Sequence, residues 1–232
     1  MKKILVICDD VWHPAEVIEK GFGMLEGEDY SFDYVKDAKD ILTEKMLARY
    51  PVIAICKSNN VVSSNGEPWF EDTVTEVGPR EFKCYMEQGG SILAIHSGTA
   101  YSRRFAKDGE LFEVPNELYL ELLGAEFNGH PLRCPVHFHI TAPCHPIMRG
   151  AADFTERDEH YQMIMRCDDA EILMESSSDS GQTVPAGYIR RFGKGNLIVL
   201  TPGHTLAVWE NENWQKILAN ALDWCTKEEM QV

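Results

Sequence analysis

Several things are missing from this 232-residue sequence, and each absence removes a class of function. No apolar run approaches the roughly 20 residues that span a bilayer. The opening Met1-Lys2-Lys3 carries the charge of a signal peptide, but the apolar stretch behind it is short and ends at Asp9-Asp10. Basic residues are scarce: 22 Lys and Arg face 37 Asp and Glu, a formal charge of −15. That balance argues against binding a nucleic-acid backbone, which must be neutralised by cations, and against an anionic membrane surface. The seven cysteines are odd in number, widely spaced and free of any C-x-x-C pair, as in reduced cytoplasmic proteins rather than disulfide scaffolds. No G-x-G-x-x-G follows the first apolar run, and Gly193-Lys194-Gly195 lacks the rest of a phosphate loop, so no nucleotide cofactor is expected. There is no internal repeat, low-complexity tract or linker, and the length suits one domain, residues 1–232.

What is present reads as an α/β protein. Short continuous apolar runs at Ile4–Cys8, Val52–Cys56, Ile92–Ile95 and Asn196–Thr201 have the pattern of strands covered on both faces. Tyr30–Val35 reads as a more exposed strand. Helical periodicity follows Pro14 and recurs over Ile41–Tyr50, Pro79–Gln88, Pro115–Leu123 and Trp214–Trp224. The alternation predicts a doubly wound parallel sheet with helices on both faces. Polar loops are expected over Lys57–Asn60 and Gly66–Trp69. Val136–Thr141, Ile172–Met174 and Val184–Ile189 read as strands of a small antiparallel extension, with a turn at Phe192–Asn196 and loop at His145–Gly150.

The segment Ser91-Ile-Leu-Ala-Ile-His96-Ser97-Gly98 is the centre of interest. Ligands of open α/β sheets bind outside the carboxyl ends of the strands, and a strand breaking at His-Ser-Gly resembles a tight nucleophile elbow with His96 at its apex. A histidine there is not by itself an acyl-transfer nucleophile, and Ser97 is one only if His and Asp partners meet it. Three histidines follow three expected buried strands: His13, His96 and His204. Parallel strands would deliver all three to one rim, where imidazole serves as metal ligand or general base. Asp9 and Asp10 could orient His13 or cap the next helix.

Elsewhere, Cys134-x-x-His137-x-His139 and Cys144-His145 contain zinc-ligand residue types in no familiar spacing. His137 and His139 share one face of a strand and could hold a metal together, although a surface role is the plainer reading. Asp158-Glu159-His160-Tyr161 is either a set of substrate contacts and supports or a solvated charge run, and in isolation it reads as the latter. Trp12, Trp69 and Trp209 fall in expected loops, where aromatic surface suits a sugar ring or anchors the loop. Spare apolar surface there or on the closing helix would serve a homo-oligomer contact.

In order along the chain, Ala94-Ile-His96-Ser97-Gly98, Leu123-Gly-Ala-Glu-Phe127-Asn-Gly129-His130, His145-Pro146-Ile147 with Gly150, Phe154 with Asp158–Tyr161, and Gly193-Lys-Gly195 through Gly203-His204 to Trp209 and Trp224 resemble the trehalose-utilisation, ThuA-like family of the class I glutamine amidotransferase-like superfamily. The resemblance implies a flavodoxin-like sheet and a small-molecule carbohydrate as partner. Glutamine amidotransferases carry cysteine at the turn apex; here it is His96, which argues against thiolate glutaminase chemistry. The expectation is a sugar-processing lyase, isomerase or hydrolase, with a non-catalytic sugar-binding or assembly module as the alternative. His96, His204 and Glu159 are the candidate catalytic groups. Trp12, Ser97, His130 and Tyr161 are candidate substrate contacts, and His13, His96 and His204 candidate ligands of a divalent metal such as zinc.

Overall fold

The computed structural model describes residues 1–36, 38–39, 41–59, 69–71, 73–100, 103–105, 111–113 and 117–226. Its first half alternates strand and helix: β1 (Lys2–Ile7), α1 (Ala15–Gly23), β2 (Tyr30–Val35), α2 (Glu44–Leu47), β3 (Val52–Ile55), α3 (Pro79–Glu87) and β4 (Ser91–Ile95). The middle holds the ribbon β5 (Arg103–Phe105) with β6 (Leu111–Glu113), then α4 (Glu117–Leu123), β7 (Ala125–Phe127), β8 (Cys134–Ile140), β9 (Phe154–Asp158) and β10 (Met163–Met165). It closes with β11 (Glu171–Ser178), β12 (Gly181–Phe192), β13 (Gly195–Leu200), α5 (Leu206–Glu210) and α6 (Glu212–Thr226).

One sheet of nine strands runs β2-β1-β3-β4-β13-β12-β11-β8-β9. The first five are mutually parallel, in the flavodoxin-like order. From β13 onward every pairing is antiparallel, so the expected extension is four strands continuous with the main sheet. Gly193 takes φ +57° in the two-residue turn between β12 and β13, a conformation that glycine adopts without a Cβ clash.

The central strands are apolar throughout because both faces are covered. Ile4 and Val6 join a core with Val208, Trp209, Trp214 and Ile217 of α5 and α6. Leu5 and Ile7, pointing the other way, pack with Phe82 and Met86 of α3 and Leu122 of α4. β8 has the contrasting pattern: Val136, Phe138 and Ile140 are buried, while Pro135, His137 and His139 are exposed, as in a strand covered on one face only.

Some expectations need correction. The helix over Ile41–Tyr50 shrinks to Glu44–Leu47, because the Thr43 side chain accepts the Met46 N–H at 3.1 Å and starts the helix there. The loop at His145–Gly150 contains a 3₁₀ turn, Pro146–Met148, capped by His145 Nδ1. Asn60, residues 66–68, Pro115 and Asn116 lie outside the described residues.

Candidate functional site at the carboxyl rim

His96 sits where β4 turns sharply into a 3₁₀ segment, with φ at +47°. The turn is fixed from below. Ser97 Oγ donates to the Cys56 carbonyl at 2.9 Å, and a Cβ on Gly98 would lie 1.9 Å from the Ile55 carbonyl oxygen. Only glycine allows the chain to pass this close to the end of β3. Ser97 is 1 % exposed, and its hydroxyl secures the turn.

The three strand-end histidines meet. Ring centroids lie 5.0 Å apart for His13 and His96, 5.1 Å for His13 and His204, and 5.5 Å for His96 and His204. Each ring is held by the nitrogen or backbone group that faces away from the centre. His96 Nδ1 is 2.8 Å from the Thr201 carbonyl; a carbonyl only accepts, so Nδ1 carries the proton and Nε2 points inward. His13 Nδ1 is 2.7 Å from Asp10 Oδ1, which also accepts the backbone N–H groups of Trp12 and His13. Asp10 Oδ2 accepts the Ser58 N–H at 3.0 Å. The paired acids divide their work: Asp9 Oδ1 accepts Ala15 N–H at the start of α1, and Asp10 orients the imidazole. His204 is placed through its backbone, whose N–H donates to Asp158 Oδ1 at 3.0 Å.

Glu159 reaches the centre from the residue after β9. Its Oε2 lies 3.2 Å from His204 Nδ1, 3.4 Å from His96 Nε2, 3.5 Å from His130 Nε2 and 4.0 Å from His13 Nε2. His13 Nε2, His96 Nε2 and His204 Nδ1 are buried without a hydrogen-bond partner among the described residues. Burial disfavours the Glu159 carboxylate, but His13, His204 and His96 outweigh it and hold the group well below its ordinary range. Burial likewise disfavours charge on His13, yet Asp10 and Glu159 raise its pKa to about 9. His96, fully enclosed, moves the other way through desolvation. His130 is the most exposed of the four imidazoles around Glu159, its side chain 33 % exposed against 3 % for His96.

Asp158-Glu159-His160-Tyr161 is therefore not a solvated run: Asp158, His160 and Tyr161 are buried. The Tyr161 ring stacks on His96 at 4.1 Å and lies over His130 at 5.7 Å. Trp12 is 57 % exposed on the His13 loop, whereas Trp69 and Trp209 are interior anchors. The Trp209 indole donates to the Gly203 carbonyl at 2.7 Å. Sequence reasoning did not find the Thr201 carbonyl that sets the His96 tautomer, since a backbone acceptor leaves no residue signature.

One imidazole nitrogen each from His13, His96 and His204 and a Glu159 oxygen lie within 4.8 Å of one another. Converging nitrogens without an aligned hydrogen bond, beside a carboxylate, fit a divalent first-row ion. A separate cleft of about 500 Å³, lined by Asn128, Gln162, Ser180 and Gln182, borders the β7–β10 ribbon that carries Tyr161 and His130 at its end.

A family model described as trehalose utilisation, ThuA, matches residues 4–225. The chain belongs to this trehalose-utilisation family. No curated protein matches the sequence. Among solved structures, a ThuA-like protein from Bacteroides uniformis superposes with TM-score 0.71 at 18 % identity, covering 99 % of this chain and 93 % of that one. A cytoplasmic protein from Salmonella typhimurium gives 0.66 at 13 %, covering 98 % and 100 %. A β-galactosidase from Bacillus circulans gives 0.64 at 12 %, where 96 % of this chain corresponds to 31 % of the enzyme. These likenesses establish a ThuA fold. No helix among the described residues is long and apolar enough to cross a membrane.

Proposed function

We propose that this protein is a metal-dependent enzyme of carbohydrate catabolism, acting on trehalose or a related disaccharide at the histidine rim. The observation that carries the reading is the set of three buried imidazole nitrogens that make no aligned hydrogen bond and converge on the Glu159 carboxylate. Family membership supports the substrate class. His13, His96 and His204 are the residues that would hold the ion, with Glu159 as the carboxylate donor. Once bound, such an ion polarises a sugar oxygen and acidifies the adjacent O–H or C–H.

The remaining roles follow from position. His130 Nδ1 is 2.8 Å from the Pro131 carbonyl, so its proton sits there and Nε2 faces Glu159 at 3.5 Å. This nitrogen is the acceptor for a proton of the substrate or of an attacking water, a role common to isomerases, lyases and hydrolases. Tyr161 fixes the planes of His96 and His130 by stacking. Trp12 offers an exposed ring to a sugar face. The exposed thiols of Cys84 and Cys144 suit a reducing cytoplasm.

The test combines metal analysis with turnover. Purified protein reconstituted with Zn²⁺, Mn²⁺, Co²⁺ or Ni²⁺ is expected to hold an ion at the rim, and His96→Ala to lose it. A panel of oxidised and unoxidised disaccharides should then show turnover that His130→Ala lowers at least 10²-fold. No ion lost in His96→Ala would sink the metal assignment. Sugar binding without turnover would leave a binding module, and the enzymatic reading would be abandoned.

A further inference from the structure

A second group of metal-ligand side chains, on β8 and just before β9, shares no residue with the rim. His137 and His139, two residues apart, both project from the exposed face of β8. Asp153, just before β9, folds back onto them. Its Oδ1 accepts the Ile140 N–H at 2.8 Å, and its Oδ2 lies 2.7 Å from His139 Nδ1.

His137 is held from the neighbouring strand. Its Nδ1 is 3.0 Å from the hydroxyl of Thr155, its cross-strand partner on β9. That contact leaves Nε2 facing the carboxylate, 4.0 Å from Asp153 Oδ2. One nitrogen from each ring and one Asp153 oxygen lie within 4.8 Å of one another. On the other side, Glu175 of β11 stands opposite His139, adding a carboxylate to the same face.

We infer that His137, His139 and Asp153 form a surface site for a transition-metal dication, independent of the rim. Two imidazoles and one carboxylate suit the borderline ions Zn²⁺, Ni²⁺ or Cu²⁺ over Mg²⁺ or Ca²⁺, which take oxygen ligands. The carboxylate is anchored by a backbone N–H and His137 by Thr155, so the donors are largely placed before an ion arrives. All three side chains are exposed, which leaves the outward coordination positions to water.

The experiment is equilibrium dialysis of the full chain against Zn²⁺ and, separately, Ni²⁺, comparing the native sequence with His137→Ala/His139→Ala. These side chains are on the surface, so the variant is expected to fold and to match the native circular dichroism and melting. A loss of one bound equivalent supports the site: two falling to one with the rim occupied, or one falling to zero if the rim binds nothing. The second pattern would remove the proposed rim metal while leaving this site standing. Any other difference between the two proteins, including none, overturns the inference.

Discussion

Asp158 holds His204 by its backbone: the two carboxylate oxygens accept the N–H groups of Gly203 at 2.9 Å and His204 at 3.0 Å. The acid is fully enclosed, and burial raises its pKa. The loop that delivers the third imidazole therefore depends on an acid from the antiparallel half of the sheet. Asp158→Ala should orphan two N–H donors at a cost of about 1–3 kcal/mol each. Asp158→Asn keeps the shape but has one accepting oxygen, and rim metal affinity should fall 10–100-fold. Calorimetric metal titration checks both; native affinity in Asp158→Asn would make the clamp irrelevant to the site.

Asp10 orients His13 as Asp158 positions His204. Asp10→Ala should weaken rim metal binding by 10–100-fold, and Asp10→Asn, which still accepts from Nδ1, should recover part of the loss. The discriminating readout is the order of affinities: native, then Asn, then Ala.

A bound rim ion should also appear in stability. Ligand at 100 times its Kd stabilises by about 2.7 kcal/mol. Thermal melts with Zn²⁺ and with chelator should therefore differ in the native protein. With His96→Ala/His204→Ala at the same free Zn²⁺ the difference should shrink. An equal shift in both would assign the stabilisation elsewhere.

Gly98→Ala should be severe, since the new methyl meets the Ile55 carbonyl oxygen at 1.9 Å. Moving β3 or the turn to relieve that contact should cost about 3 kcal/mol, measured by urea denaturation. Gly23, where nothing lies within 4 Å of an added Cβ, is the control, and Gly23→Ala should be mild.

One acid-range prediction rests on the Arg190–Asp169 pair. Arg190 donates to Asp169 at 2.9 and 3.1 Å and to the Glu121 and Leu122 carbonyls at the end of α4. Hydrogen bonding to Arg190 holds the Asp169 carboxyl below its ordinary value of 3.8. A lowered folded-state pKa means the contribution is complete above the unfolded value and is lost as pH falls through the folded one. Asp169→Asn should thus be less stable than native at pH 7, by under about 1 kcal/mol because the carboxylate is half exposed. The gap should close in acid, once pH falls below the lowered folded-state pKa. A gap that persists in strong acid would show that charge is not its source.

The sequence by itself determined the central frame. Continuous apolar runs in β1, β3, β4 and β13 can be satisfied only by burial on both faces, and that requirement specifies a parallel sheet with helices on either side. It also determined that His13, His96 and His204 leave those strands at equivalent ends, so parallel packing brings them to one rim. The tertiary structure alone decided the rest. Glu159 arrives through β9, at the far edge of the antiparallel half, and no local period connects residue 159 with residues 13, 96 and 204. Asp153 joins His137 and His139 for the same reason, from the start of the next strand. Asp158-Glu159-His160-Tyr161 looks like surface because charge in a sequence is usually solvated. Here the backbone N–H groups of Gly203 and His204 and the gathered imidazoles replace water, and such partners exist only once the chain has folded.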